Sequence, residues 1–103
     1  MDKSIIEKVK KYSDILKFHN YPIDMVILYG SYAKGIERKY SDIDVAIVFD
    51  EIEGDFLDLI SNLYKLAVEV DDRIETVVLE KKNDKSGFLE SILKYGTIVY
   101  KNN

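Results

Sequence analysis

Residues 25–49 read MVILYGSYAKGIERKYSDIDVAIVF, and the two apolar runs in this stretch decide the fold. Met25 to Tyr29 is a continuous apolar run of the kind that forms a buried strand. Ile43 to Phe49, rich in β-branched residues and apolar on both faces, predicts a second buried strand. Gly30-Ser31 breaks the first run. Ser31 to Ile36 then predicts a short helix entered through a capping serine, with Gly35 near its end and a polar loop leading to Ser41-Asp42.

Upstream, Ile5, Ile6, Val9, Tyr12, Ile15, Leu16 and Phe18 recur at three- and four-residue steps, which predicts a helix from Ser4 to Phe18 stopped by Tyr21-Pro22. Downstream, Asp50 to Asp55 reads as an acidic turn, and Phe56, Leu57, Ile60, Leu63, Tyr64, Ala67 and Val68 form a second helical stripe. Arg73 to Leu79 predicts a third strand with Ile74, Val77 and Val78 inside, followed by a charged loop over Glu80 to Lys85. A last helix carries Phe88, Leu89, Ile92 and Leu93, stops at Gly96, and leads to an edge strand at Thr97 to Tyr100. Alternating helix and strand predict an α/β (α+β) architecture: a mixed sheet of three or four strands with helices packed against it. Ligands in such sheets sit at strand ends, where Gly30-Ser31 and Asp42-Ile43-Asp44 both fall.

A chain of 103 residues fits one domain, taken as 1–103, with no internal repeat or linker. With 47% hydrophobic and 33% charged residues, disorder and fibre are excluded. The absence of cysteine removes disulfides and thiolate metal sites, and no run approaches the ~20 apolar residues of a membrane span. A charged N-terminus without an apolar core argues against secretion, so the cytoplasm is expected and a membrane is not. The formal net charge of −4 disfavours strong general nucleic-acid binding.

Asp42 and Asp44 stand two apart, so on a strand their carboxylates face one spot, where bound cations relieve their repulsion. A turn aspartate beside a solvated one explains the tripeptide equally well in isolation. Gly30-Ser31, at a strand-to-helix turn, offers backbone N–H groups and a hydroxyl to an anion; alone it reads as an ordinary capped turn. Together, a phosphate cradle and a metal dyad on adjacent strands are what metal-assisted phosphoryl or nucleotidyl transfer needs.

The run Gly30-Ser31-Tyr32-Ala33-Lys34-Gly35, then Ser41-Asp42-Ile43-Asp44, with ten residues between Ser31 and Asp42, resembles the signature of the polymerase-beta-like nucleotidyltransferases, in particular the minimal ones of bacteria and archaea. Residues Phe88 to Gly96 also resemble that family's last helix and glycine, so the resemblance covers nearly the whole chain. It implies a small nucleotidyltransferase fold in which Gly30 and Ser31 hold the β- and γ-phosphates and Asp42 and Asp44 bind two Mg²⁺ ions. It further implies a third, catalytic and metal-binding carboxylate on the next strand. Glu75 is the candidate, in a position where the family more often has aspartate, with Asp72 or Asp71 as the fallback. The implied reaction is transfer of AMP from ATP to an acceptor, here a protein partner. Minimal members are often paired with a small helical HEPN-type protein as toxin and antitoxin, this member being the antitoxin. Larger relatives append an acceptor-gripping domain, so here the acceptor is expected from a partner subunit or at an open edge; a homo-oligomer is left open.

A calcium loop starting at Asp42 fails, because its sixth position is Ile47 where glycine is needed. Sugar-nucleotide transferases that use Asp-x-Asp are much longer chains. The alternative of another class is a non-catalytic nucleotide-binding module that neutralises a partner by covering it. Lys34, Arg38 and Lys39 read as a solvated basic loop before a triphosphate contact, His19 as a helix-end residue, and Tyr32 as packing before a base-stacking platform.

Overall fold

A computed structural model describes residues 3–38 and 41–102; Lys39 lies outside the described residues. Helix α1 spans Lys3–Phe18 and buries Ile5, Val9, Tyr12 and Leu16, the stripe that its three- and four-residue spacing dictates. It ends earlier than Pro22 requires. Asn20 takes φ 65°, while the Tyr21 N–H donates to the Leu16 carbonyl and the Asn20 N–H to that of Lys17. That is a Schellman closure with asparagine in the left-handed position, so Asn20 rather than Tyr21-Pro22 stops the helix and His19 sits at its cap.

Strand β1 covers Ile23–Tyr29 and is followed by α2, Ser31–Lys34, a single turn closed by Gly35 at φ 73°. The expected serine cap is not what opens α2: Gly30 occupies the cap and Ser31 is the first helical residue. Strand β2, Ile43–Phe49, has the predicted bounds, and α3, Phe56–Val70, starts at Asp55, whose carboxylate accepts the Asp58 N–H. Strand β3, Ile74–Glu80, then α4, Phe88–Tyr95, and β4, Thr97–Lys101, complete the chain. Asp84 holds the start of α4 by accepting the N–H groups of Leu89 and Glu90 at 3.0 Å each.

The strands form one mixed sheet in the order β3-β2-β1-β4. β1 runs antiparallel to β2 and β4, whereas β2 and β3 are parallel and joined by the α3 crossover. Because strand side chains alternate, the sheet is apolar on both faces and each needs a cover. Val26, Leu28, Val45, Ile47 and Ile74 pack under α1 and α3. Met25, Ile27, Ala46 and Val48 pack under Leu89 and Ile92 of α4.

Two contacts fix strand and helix placement near the site. The buried Tyr12 hydroxyl donates to the Leu63 carbonyl at 2.9 Å and lies 3.0 Å from the Thr76 hydroxyl, pinning α1, α3 and β3 together. Burial pushes that phenol up to about 12, and losing it would orphan buried partners at about 1–3 kcal/mol. At the other side, a Cβ on Gly96 would lie 2.7 Å from Ile27 Cγ2 and 3.0 Å from the Leu28 carbonyl oxygen. Only a residue without a side chain lets the α4–β4 turn close onto β1 there.

Candidate active site

Pairing aligns Tyr29 of β1 with Asp44 of β2, and Asp44 with Glu75 of β3. Paired residues in a sheet project on the same face, so Tyr29, Asp44 and Glu75 form one row across three strands, on the face that α4 covers further along. Asp42 lies one residue before β2 and two before Asp44, and its exposed carboxylate joins the same side. Of the three candidates for a third carboxylate, Glu75 is the one that register places in this row. Asp72 is exposed and precedes β3, and Asp71 is engaged elsewhere.

Gly30 closes the row against β1. Its φ of 74° with ψ of −148° belongs to backbone space that is essentially glycine's alone. A Cβ there would overlap a carboxylate oxygen of Asp44 and lie 3.0 Å from its Cγ. The turn therefore brings the Gly30-Ser31 backbone directly against the Asp44 side chain. Sequence alone puts the two motifs at neighbouring strand ends; it does not show that Gly30 is required by the carboxylate itself.

The carboxylates act on one another. Partial burial, then the charge of Asp42, raises the pKa of Asp44, against a smaller lowering by a hydrogen bond with Glu75. Glu75 is raised first by the charge of Asp42, then by desolvation and by Asp44. Tyr29 is pushed up to about 12 by burial and by the Asp44 and Glu75 charges, and its ring meets Phe88 of α4 edge-on at 5.7 Å. Among the described residues no three His, Cys, Asp or Glu side chains stand as a formed metal cluster. The arrangement is an open one: acidic groups close enough to repel, with no cation of the chain paired to Asp42, Asp44 or Glu75 among the ion pairs of the described residues. Such a set suits a divalent ion, which supplies the missing positive charge.

A recess of about 300 Å³ bordered by Tyr29, Asp44, Tyr64, Glu75 and Val77 opens beside these carboxylates at the β3 edge. A larger one of about 410 Å³ lies around Asp50, Glu51 and Glu53 beyond the other end of β2 and shares no residue with the carboxylate row, so size does not mark the site here. Lys34 and Arg38 are exposed. Tyr32 is 4% exposed, so it is a packing residue and not an open stacking platform. His19 is exposed, with the edge of its ring against Phe18.

Sequence reasoning missed the corner that supports the row. Asp71, whose side chain is 9% exposed, accepts from Lys8 Nζ at 2.7 Å, Arg73 Nε at 3.1 Å and Arg73 Nη2 at 2.9 Å. Those partners, Arg73 foremost, hold its carboxyl well below the usual carboxylate range. Arg73 Nη1 in turn donates to the Tyr32 hydroxyl at 3.1 Å. The Asp-x-Arg spacing is visible in the sequence, but a partner 41 positions away is not.

The fold and the sequence have counterparts. A protein of Methanocaldococcus jannaschii named as a candidate protein adenylyltransferase is 32% identical over 100 residues, covering 92% of this chain and 98% of its own length. A crystal structure of a toxin–antitoxin with AMP-PNP superposes with a TM-score of 0.69 at 20% identity, covering 95% of this chain and 74% of that one. A candidate nucleotidyltransferase from Sulfolobus solfataricus gives 0.68 at 20% identity, with 96% and 82% covered. The two structures speak for the fold. The sequence itself matches the family described as Polymerase beta, Nucleotidyltransferase over residues 4–103, and the chain belongs to that family of nucleotidyltransferases.

Proposed function

We propose that this protein transfers AMP from ATP to a hydroxyl of a protein partner, and that Gly30, Ser31, Asp42, Asp44 and Glu75 carry the reaction within one domain spanning 1–103. The observation that carries the reading is the contact of the Gly30 turn with Asp44, itself in register with Glu75. A phosphate-approachable backbone and a set of mutually repelling carboxylates thereby share one spot. The relative named for protein adenylylation supports a protein acceptor, and the toxin–antitoxin neighbours support a toxin partner, which we take to be a small helical HEPN-type protein.

In this scheme Gly30 and Ser31 bind the β- and γ-phosphates through backbone N–H groups and the serine hydroxyl. Asp42, Asp44 and Glu75 hold two Mg²⁺ ions. Bound there, the ions neutralise charge on the attacking and leaving oxygens. The acceptor oxygen forms a bond to the α-phosphorus, the bond from that phosphorus to the β-phosphate bridge breaks, and pyrophosphate leaves. Glu75, exposed at the β3 edge, accepts the hydroxyl proton before passing it to water. The recess beside Glu75 and Tyr64 gives an acceptor side chain an approach from the open edge. We place the protein in the cytoplasm; among the described residues no helix is long and apolar enough to cross a membrane.

A second reading, a nucleotide-binding module that silences its partner by covering it, draws on the glutamate at position 75, where the resembled family more often has aspartate. Mass spectrometry of the partner co-purified with this protein, after incubation with Mg-ATP, separates the two. A mass increment of one AMP per site is expected; a partner that is inhibited yet unmodified would replace catalysis by covering.

A further inference from the structure

We propose that Arg73 is the positioning residue of this site, acting through Tyr32 to hold the Gly30-Ser31 turn in register with Asp42, Asp44 and Glu75. The inference rests on the reading of that turn as a phosphate cradle. Arg73 links the three segments that carry the site. Its carbonyl accepts the N–H of Ile43, the residue between the two aspartates, at 2.8 Å. Along its own chain it precedes Glu75 by two residues, at the entry to β3. Its guanidinium reaches Tyr32, the residue after Ser31, at 3.1 Å.

The guanidinium has little freedom to do anything else. Two of its nitrogens form a fork on the Asp71 carboxylate, whose second oxygen is also taken by Lys8. Asp71 is in turn fixed as the C-cap of α3, its N–H on the Ala67 carbonyl. The remaining nitrogen is thereby aimed at one point, and that point is the Tyr32 hydroxyl. Such planar, preorganised aim belongs to arginine; a lysine at 73 would have to choose between the carboxylate and the phenol.

Helix α2 needs an outside hold. At four residues it is too short to be stable by itself, and it begins at a glycine, the residue that loses most conformational freedom on being fixed. The Tyr32 ring is buried, but burial of a ring leaves rotation and sliding possible; the hydrogen bond from a clamped guanidinium fixes its tip. Arg73 forms no ion pair with Asp42, Asp44 or Glu75 among the described residues, so it is a positioning group whose charge is already answered by Asp71.

Calorimetric titration with Mg-ATP tests this on wild type, Tyr32→Phe, Arg73→Lys and the double variant. Tyr32→Phe leaves the guanidinium charge and the Asp71 fork in place, so a role through charge or through stapling α3 to β3 predicts no change. Positioning predicts a ~5–20-fold weaker affinity in each single variant, and no further loss in the double, because both remove one link. Wild-type affinity in Tyr32→Phe, or losses that multiply in the double variant, would overturn it. Should wild type not bind Mg-ATP, the functional reading fails while the inference is still decided by amide hydrogen exchange over Gly30 to Lys34. Faster exchange there in Tyr32→Phe, with exchange in β1 and β2 unchanged, upholds the link; equal exchange removes it.

Discussion

Two acidic regions lie within a few residues of each other at one end of the sheet, and they have opposite electrostatic histories. At the α3–β3 corner, Asp71 is nearly closed to solvent, bonded to Lys8 and doubly to Arg73, and strongly acidic. In the row beside it, Asp44 and Glu75 face Asp42 and each other, and both are raised. The first group has been neutralised by the chain itself; the second has been assembled without a cation. Folding selects pairings such as the first for stability, while a like-charge row survives only where something outside the chain supplies the missing charge. Under the proposed function, the difference separates acids that build the molecule from acids that work in it.

Removing a carboxylate charge should therefore cost activity in the row and stability at the corner. The largest effect is expected for Asp42→Asn/Asp44→Asn: AMP transfer to the co-purified partner should fall by ~10³-fold or more as the metal-binding charge disappears. Its melting temperature without metal should rise by roughly 2–4 °C, since about 0.5 kcal/mol of repulsion is relieved. A double variant that kept its rate would erase the distinction. Next, Gly30→Ala should lower transfer by ~100-fold and stability by about 1–3 kcal/mol, because the new Cβ meets the Asp44 carboxylate and the backbone there is strained for any other residue. Radiolabel transfer and denaturant melts read the two parts. Asp71→Asn should show the converse pattern, a stability loss of about 2–3 kcal/mol from orphaned Arg73 and Lys8 bonds. Its Mg²⁺-dependent stabilisation should persist, and a loss confined to metal binding would contradict the assignment of Asp71 to the architecture.

Much of the fold was legible from residues alone. Strand β2 was bounded correctly because a run apolar on both faces between Asp42 and Asp50 has few other uses, and the α/β alternation followed from stripes such as Ile5, Val9, Tyr12 and Leu16. Glu75 could be singled out as a charge interrupting an apolar strand, and register then placed it beside Asp44. Two local expectations failed for local reasons. Asn20 adopts the left-handed conformation and ends α1 before Pro22 acts, and Gly30 takes the cap position that serine was expected to fill. The Lys8–Asp71–Arg73–Tyr32 chain was out of reach, since its members are spread over α1, the α3–β3 corner and α2 and none carries a pattern of its own. Pairings of that kind are set by tertiary packing, which periodicity does not encode.

The smallest effect is also the one that tests the electrostatic contrast most directly. Asp71 has a folded pKa depressed below the unfolded value, so its contribution is present above about pH 4, the unfolded carboxylate range, and is lost as pH falls further. Asp44 and Glu75 are raised, so the folded state holds their protons more tightly than the unfolded state does. Their contribution is favourable at and below the unfolded range and is lost as pH rises through the raised values. On going from pH 5 to pH 7.5 the corner is therefore constant while any proton the row still holds is released and its repulsion grows, and a cation that answers it should stabilise more at the higher pH. With Mg²⁺ at about ten times its dissociation constant at pH 7.5, roughly 1.4 kcal/mol is expected there, or about 6–11 °C in melting temperature, and less at pH 5. Differential scanning calorimetry with and without Mg²⁺ at both values measures it, and the Asp44→Asn variant should flatten the dependence. A Mg²⁺ effect equal at the two pH values would mean that the ion binds somewhere other than the row.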